Sequence, residues 1–396
     1  MAHSTYSCDI DAEPLDRYRS GGYHPIKLGD LLKNGRYKIL HKAGWGGYST
    51  TWVARDQVQG RYVAVKVSVS EKNDYREVQV LRAISALPTD QHPGQSHLVQ
   101  LLDYFAHVGP NGTHSCLVLE LLGPSVPDVI NLLYRDERLP AALAKSTARQ
   151  ALLGIDFLAW QKIGHGDIHT RNLAFAISNL DSLDEQQFFN RFGKPETGLV
   201  HRIDNLAVAS HMPSYLVQPT SFLVDSVRES LRSSPIVKII DFGESFFDDQ
   251  APVKLHTPLA VRAPEVVFGD RIDHRVDMWS MGCLLFELVT GQPPFDVVML
   301  TPSTLISQMI EFSTDGLPDQ WQEKWRAMEK GTFDDDAPCT LQGWLEEVYF
   351  DEDRRFEFTK QDITKVCELV GRMLKFEPSS RATPKDILDD SWFQCH

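Results

Sequence analysis

The run His165-Gly166-Asp167-Ile168-His169-Thr170-Arg171-Asn172, taken with Asp241-Phe242-Gly243, sets two carboxylates and an amide apart from the rest of a 396-residue chain. That set suits phosphoryl transfer. A carboxylate beside an attacking hydroxyl can orient it and accept its proton, while an amide oxygen and a second carboxylate are hard ligands for the Mg²⁺ ions that bridge nucleotide phosphates. Asp167 is therefore the candidate catalytic carboxylate, Asn172 and Asp241 the candidate metal ligands, and ATP with Mg²⁺ the implied cofactors. Asp167 alone reads as a solvated loop carboxylate. The joint pattern His-x-Asp-x-x-x-x-Asn, between a long amphipathic helix and the β-like Leu173-Ala174-Phe175-Ala176-Ile177, gives it weight. His165 reads as a packed histidine. Asp241 follows the apolar run Ile236-Val237-Lys238-Ile239-Ile240, a strand able to deliver its carboxylate to a cleft.

Two more clusters fit the same chemistry. In Gly44-Trp45-Gly46-Gly47-Tyr48-Ser49 the glycines let backbone cover phosphates with no Cβ in the way, although a tight hairpin turn needs glycine as well. Ser49 stands where the usual pattern has a third glycine, and Thr51 where it has Val. Lys66, in Val63-Ala64-Val65-Lys66, shares a strand face with the small Ala64, as a ligand-facing strand would. Its ammonium could reach the α- and β-phosphates and pair with Glu77 on the following helix. The other reading of Glu77 is a capping box with Asp74.

These residues need a scaffold that the pattern also outlines. Residues 1–34 are polar and Gly-containing and read as an extended N-terminal arm. From 35 to 122, short β-rich runs (Tyr37–Leu40, Thr50–Ala54, Tyr62–Val67, Cys116–Leu119) alternate with turns as in an antiparallel sheet, the first lobe. One helix over 74–86 interrupts them, with Tyr75, Val78, Leu81 and Ile84 on its apolar stripe. Glu120-Leu121-Leu122-Gly123-Pro124 breaks regular structure and marks the lobe boundary. The second lobe, 123–396, is mainly helical: a long helix starts near Pro140, and another spans 277–290 before Gly291 and Pro293-Pro294. Sixty-eight residues separate Asn172 from Asp241 (241 − 172 − 1 = 68), so about 178–235 reads as a spacer insert, in part mobile.

Composition excludes several classes. At 42% hydrophobic residues the chain can form two cores, and its apolar runs fall far short of a membrane span. The N-terminus lacks a secretory pattern, and six scattered cysteines without a CxxC pair argue against disulfide frameworks and structural zinc. A net charge of −14 disfavours direct nucleic-acid binding and favours basic partners. Acidic clusters at Asp334-Asp335-Asp336, Glu346-Glu347 and Asp351-Glu352-Asp353 are either a solvated face or a docking groove for Arg-rich peptides.

Taken in order with Ala263-Pro264-Glu265, Asp277-Met278-Trp279-Ser280-Met281-Gly282 and Arg381, these motifs resemble the eukaryotic protein kinase domain over about residues 35–396. The resemblance implies a bilobal α+β fold, with a small antiparallel-sheet lobe bearing one main helix and a larger, mainly α lobe. By it, Ala43, Gly44, Trp45, Gly46, Gly47, Tyr48, Ser49, Ala64 and Lys66 hold ATP, with Leu119, Glu120 and Leu122 at the adenine. Asp167, Lys66, Glu77 and Arg171 are catalytic, Asn172 and Asp241 bind Mg²⁺, and 241–265 is the activation segment. Glu265 would pair with Arg381, and Asp277 would anchor the catalytic loop. Gly21-Gly22-Tyr23-His24-Pro25-Ile26-Lys27-Leu28-Gly29-Asp30 and Gly35-Arg36-Tyr37 further resemble the opening of SR-protein kinases, in a fungal branch, which phosphorylate Ser in Arg/Ser-rich segments of splicing factors. That implies constitutive activity on Ser (with Thr the other hydroxyl) in basic protein substrates, by a monomer of cytoplasm and nucleus.

The chain departs from the family in places. His169 occupies the position of a lysine that steadies the transferring phosphoryl group, and Arg171 is the candidate replacement cation. Gly166 replaces an arginine that captures an activation-segment phosphate. Pro258 stands at the usual threonine, with Thr257 one place away. Two other functions share some motifs: a small-molecule phosphotransferase of the aminoglycoside or choline kinase type, and a pseudokinase scaffold.

Overall fold

In the computed structural model, residues 5–71, 75–88, 91–135, 137–177, 179–220, 224–232, 234–295, 301–328, 340–351 and 356–394 are described. The chain forms two compact units, one gathering Met1–Ser85, Val99–Pro124 and Phe175–Pro235, the other Ala86–Leu98, Ser125–Ala174 and Ile236–His396.

The first unit is built on a six-stranded sheet: β1 (Leu31–Leu32), β2 (Tyr37–Gly46), β3 (Ser49–Asp56), β4 (Arg61–Ser68), β5 (Leu101–Gly109) and β6 (Gly112–Glu120), in the order β1-β2-β3-β4-β6-β5. The alternation in β4 sends Val63, Val65 and Val67 to one face. There they join Ile39, Trp52, Ala54, Cys116 and Val118 in a buried core. Tyr62, Ala64 and Lys66 face the other side. Helix α1 (Tyr75–Ala86) buries Val78, Leu81 and Ile84 as its stripe requires, with Val80 added, while Tyr75 is exposed. The capping-box partner Asp74 lies outside the described residues.

Four expectations are corrected here. The arm expected over 1–34 is, across its described residues 5–34, part of the fold: Tyr6–Ser7 pairs antiparallel with His201–Arg202, and Tyr18, Tyr23 and Ile26 are buried. Polar composition concealed this because Glu13 is buried as an ion pair with Lys42 and accepts from Tyr18 Oη. The spacer, assigned above to the second lobe, belongs to the first unit. Its helix Glu185–Phe192 stacks Phe188 on Tyr62 with ring centroids 4.6 Å apart, and Glu185 pairs with Lys38 at 2.8 Å. Conversely, 86–98 joins the second unit, where Gly94 lies so close to the Leu153 carbonyl that a Cβ would sit 1.8 Å from its oxygen. The expected break at 120–124 holds a short strand, Leu122–Ser125.

The second unit is mainly helical. Helix α2 (Ala141–Trp160), preceded by Pro140, buries Ala148, Ala151, Leu152, Ile155 and Leu158. Helix α3 (Pro264–Phe268) closes the activation segment, and α4 (Val276–Thr290) is buried almost throughout before Gly291 ends it at φ +90°. Among the described residues no helix is long and apolar enough to cross a membrane. The cluster Asp334-Asp335-Asp336, together with Glu352 and Asp353, lies outside the described residues, as do Cys339 and Cys395.

Burial fixes a pH dependence. His24, His41, His97, His107, His114 and His165 are all held below the ordinary imidazole value of 6.5, in each case chiefly by desolvation, and His24, packed against His107 and His114, falls to about 3. Folded-state values below the unfolded one give stability that is complete above pH 6.5 and lost as pH falls towards about 3. Through His24 alone the loss is about 1.4 kcal/mol per pH unit. Asp277, raised by burial to about 7, and Glu287, also raised by burial, act oppositely. As pH falls from 6.5 to about 5, Tm should therefore drop more steeply in the wild type than in His24→Gln. A flat profile would contradict this account.

Candidate active site

In the first unit, the strand register assembles the residues assigned to the nucleotide. Gly44 pairs with Thr51, and Thr51 with Lys66, forming one line across β2, β3 and β4. A second line runs Val53, Ala64, Leu119 across β3, β4 and β6. Directly paired residues share a face, so Ala64, Lys66, Thr51 and Leu119 are neighbours on one surface. Lys66 Nζ lies 2.7 Å from Glu77 Oε1 on α1, both side chains being buried. The pair that spacing suggested is thus made, and it fixes the ammonium against the sheet. The turn Gly47-Tyr48 joins β2 to β3, with Trp45 and Tyr48 exposed at the tip. Ala43, Leu121 and Ile177 pack in one apolar cluster with the spacer residues Phe188, Phe189 and Phe192.

In the second unit, the loop after α2 is tied down by buried hydrogen bonds. Asp277, on α4, accepts from the backbone N–H of His165 at 2.6 Å and of Gly166 at 2.8 Å. Burial raises the Asp277 carboxyl and these two N–H groups oppose the rise, the net value being about 7. His165 is fully buried and packs edge-on against Phe242, at 4.9 Å between centroids. Its Nδ1 accepts from Asp167 N, which leaves Nε2 as the donor to Ile240 O at 3.1 Å. Ile240 N in turn donates to Asn172 O at 2.9 Å. One histidine and one strand end therefore couple the turn of Asp167 and Asn172 to the residue preceding Asp241.

The polar cluster itself is compact. Asn172 Nδ2 donates to the carbonyl of Asp167 at 2.8 Å and to its Oδ2 at 3.0 Å, and stands 3.2 Å from His169 Nε2. With both amide protons committed, Oδ1 is the face that Asn172 offers a hard cation. Among the described residues Asp167 Oδ1 has no hydrogen-bond partner, which leaves it able to accept from a hydroxyl. Asp241 adopts φ +60°, ψ +79°, a left-handed conformation held by a bond from Gly243 N to its Oδ1 at 3.3 Å, and its side chain is exposed. A carboxylate and an amide oxygen on adjoining backbone are a donor set that fits Mg²⁺, so the residues match the ion the sequence implied.

His169, which stands at the place of the missing lysine, lies at the carboxylate, with Nε2 3.5 Å from Asp167 Oδ2. Arg171 is exposed on the same turn, and its charge acts on Glu287 behind the loop. Sequence reasoning passed over Glu287, which accepts from Thr170 Oγ1 at 2.8 Å, and it noted Thr257 only as out of register. Thr257 Oγ1 donates to Gly166 O at 2.6 Å, clasping the activation segment to the catalytic loop. Gly166 has φ +78°, and a Cβ there would meet Glu244 O at 3.0 Å and Leu255 at 2.9 Å, so the arginine other kinases carry does not suit this backbone.

The segment closes on α3, where Glu265 Oε1 and Oε2 take bonds from Arg381 Nη1 and Nη2, each 2.6 Å. The pairing that the resemblance implied for these residues is therefore made.

The family model for the protein kinase domain matches residues 37–181 and 217–393. The chain belongs to the protein kinase family. It is 31% identical to the serine/threonine-protein kinase SRPK of Physarum polycephalum, over 96% of this chain and 91% of that protein. A serine/threonine protein kinase of Aspergillus fumigatus is 27% identical over 97% of this chain and 90% of its own length. SRSF protein kinase 3 of Homo sapiens is 38% identical over 44% of this chain and 31% of the human protein. The chain is a serine/threonine protein kinase of the SR-protein-kinase type, with ATP as its phosphoryl donor, and the small-molecule phosphotransferase and scaffold readings give way.

Proposed function

We propose that this kinase phosphorylates Ser, and Thr as the other hydroxyl, in basic Arg/Ser-rich protein segments, as a monomer of cytoplasm and nucleus that needs no phosphate on its activation segment. The observation that carries the last point is the clasp of Thr257 on Gly166, a hydroxyl–carbonyl bond in place of an arginine–phosphate pair. Glu244 accepting from His256 N at 3.1 Å and Asp248 pairing with His274 at 2.6 Å brace the same segment. The basic substrate class is supported by the net charge of −14 and by likeness, over nearly the whole chain, to a kinase named SRPK.

In this reading Gly44–Ser49 and Lys66, held by Glu77, bind the phosphates, with Ala43, Ala64, Leu119, Glu120 and Leu122 around the adenine. Asn172 and Asp241 would hold Mg²⁺, which neutralises charge on the bridging phosphate oxygens. Asp167 orients the substrate hydroxyl and accepts its proton late, since positioning and electrostatics dominate this chemistry. Arg171 supplies the cation that His169, when neutral, lacks.

Two measurements test the proposal. Radiolabelled phosphate transfer should favour an Arg/Ser peptide over the same peptide with Lys for Arg and persist after phosphatase treatment; loss of activity on that treatment would refute constitutive action. Arg171→Ala should lower kcat at least about tenfold, worth ~1.4 kcal/mol of transition-state stabilisation, with little change in the ATP KM. An unchanged kcat would remove Arg171 from the mechanism and leave His169.

A further inference from the structure

The tip of the β2–β3 hairpin is held from behind by the N-terminal segment. Tyr23 Oη donates to Gly46 O at 2.7 Å, Arg17 Nη2 donates to Gly47 O, and Val69 N donates to Tyr48 O at 2.9 Å. Three successive carbonyls are thus engaged, the first two by the N-terminal segment and the third by Val69. A planar trans peptide directs its C=O and the following N–H to opposite sides, so the N–H groups of Gly47 and Tyr48 are turned away from the segment. Consecutive N–H groups turned one way are the arrangement that receives anionic oxygens.

The holding segment is itself built in. Glu13, buried, pairs with Lys42 on β2, the strand that leads into the tip, and accepts from Tyr18 Oη. Tyr18 packs edge-on against Tyr23 at 5.6 Å, and the Arg17 guanidinium lies 5.5 Å from the Tyr23 ring centre. Asn111 fastens the bend by donating to Tyr23 O at 2.7 Å and accepting from Gly21 N at 2.8 Å. The bend needs its two glycines. Gly21 has φ +83°, and a Cβ on Gly22 would sit 1.9 Å from Arg17 O.

We infer that Tyr23 and Arg17 are positioning residues of the nucleotide site: they hold the glycine loop with its Gly47 and Tyr48 amides turned to the phosphates, so that the N-terminal segment sets ATP affinity. This rests on the reading of Gly44–Ser49 as the phosphate loop. Neither residue touches the nucleotide in this scheme. Each acts through a backbone carbonyl of the loop.

Tyr23→Phe keeps the ring packing and deletes one hydrogen bond. Its ATP KM and its calorimetric Kd for Mg·ADP should rise about 3- to 10-fold, the range expected for one lost hydrogen bond. The peptide KM should stay within about twofold and Tm nearly constant. Arg17→Met should behave alike and Arg17→Lys should recover part of the loss. Amide hydrogen exchange over 45–50 should quicken in both Tyr23→Phe and Arg17→Met, a local signature that a general loss of stability would not give. Unchanged ATP KM and unchanged exchange in both variants would overturn the inference. Lys66→Met separates the two levels: if it leaves nucleotide binding and transfer intact, the phosphate-site reading fails and the inference with it. If it abolishes transfer while Tyr23→Phe and Arg17→Met are silent, the inference alone fails.

Discussion

Asp167→Asn is expected to lower kcat by ~10²–10⁴-fold while the calorimetric affinity for Mg·ATP stays within a factor of a few. The asymmetry follows from what each atom does. Oδ2 of Asp167 accepts from Asn172 Nδ2, and an asparagine oxygen can keep that bond, so the turn that presents Asn172 should survive. Oδ1 has no partner among the described residues, and an amide NH₂ there cannot take a proton from a hydroxyl. In the proposed function ATP affinity rests instead on Lys66, the glycine loop and the two proposed metal ligands, all left unchanged. A variant with near-normal kcat would show that Asp167 neither orients nor deprotonates the acceptor. A variant unable to bind Mg·ATP would show that the carboxylate is needed for the metal site.

The residues proposed for this chemistry were legible because their signals are local. Asp167 and Asn172 lie five apart on one turn, Lys66 sits in a strand whose alternation is plain, and Asp277 opens a helix with a clear stop at Gly291. Pairings across long separations were legible only through the resemblance, as for Glu265 and Arg381, 116 residues apart. Where no resemblance specified a partner, composition misled. Glu13 looked like part of a solvated arm because nothing local shows that Lys42, 29 residues on, will be buried beside it. The spacer looked polar and detached because Phe188, Phe189 and Phe192, its apolar face, find their partners on strands more than a hundred residues earlier. Thr257 was visible as a threonine in the wrong register. Its partner is a carbonyl, and a backbone acceptor leaves no mark in sequence; the one available hint was Gly166, a glycine where other kinases place arginine.

Arg381→Met should destabilise the protein by about 3–5 kcal/mol, lowering Tm by on the order of 10 °C, by stranding a charge rather than by losing an attraction. The five N–H donors of Arg381 are all engaged: Nε with Lys375 O at 2.9 Å, Nη1 with Glu265 Oε1 at 2.6 Å and Arg275 O at 2.9 Å, and Nη2 with Glu265 Oε2 at 2.6 Å and Phe376 O at 3.3 Å. Glu265 is 1% exposed, so removing the guanidinium leaves a carboxylate without counter-charge in the interior, beside three carbonyls without donors. Lysine cannot replace a planar fork of five donors, and Arg381→Lys should recover little. The double variant Glu265→Gln, Arg381→Met removes the stranded charge and should be clearly more stable than Arg381→Met alone, with a coupling of about 1–3 kcal/mol in the cycle. Because Glu265 is in the first turn of α3, where the activation segment ends, the double variant should nonetheless remain poorly active: the fold regains stability while the segment loses its anchor. Additive losses in the cycle, or full activity in the double variant, would assign the pair to stability alone.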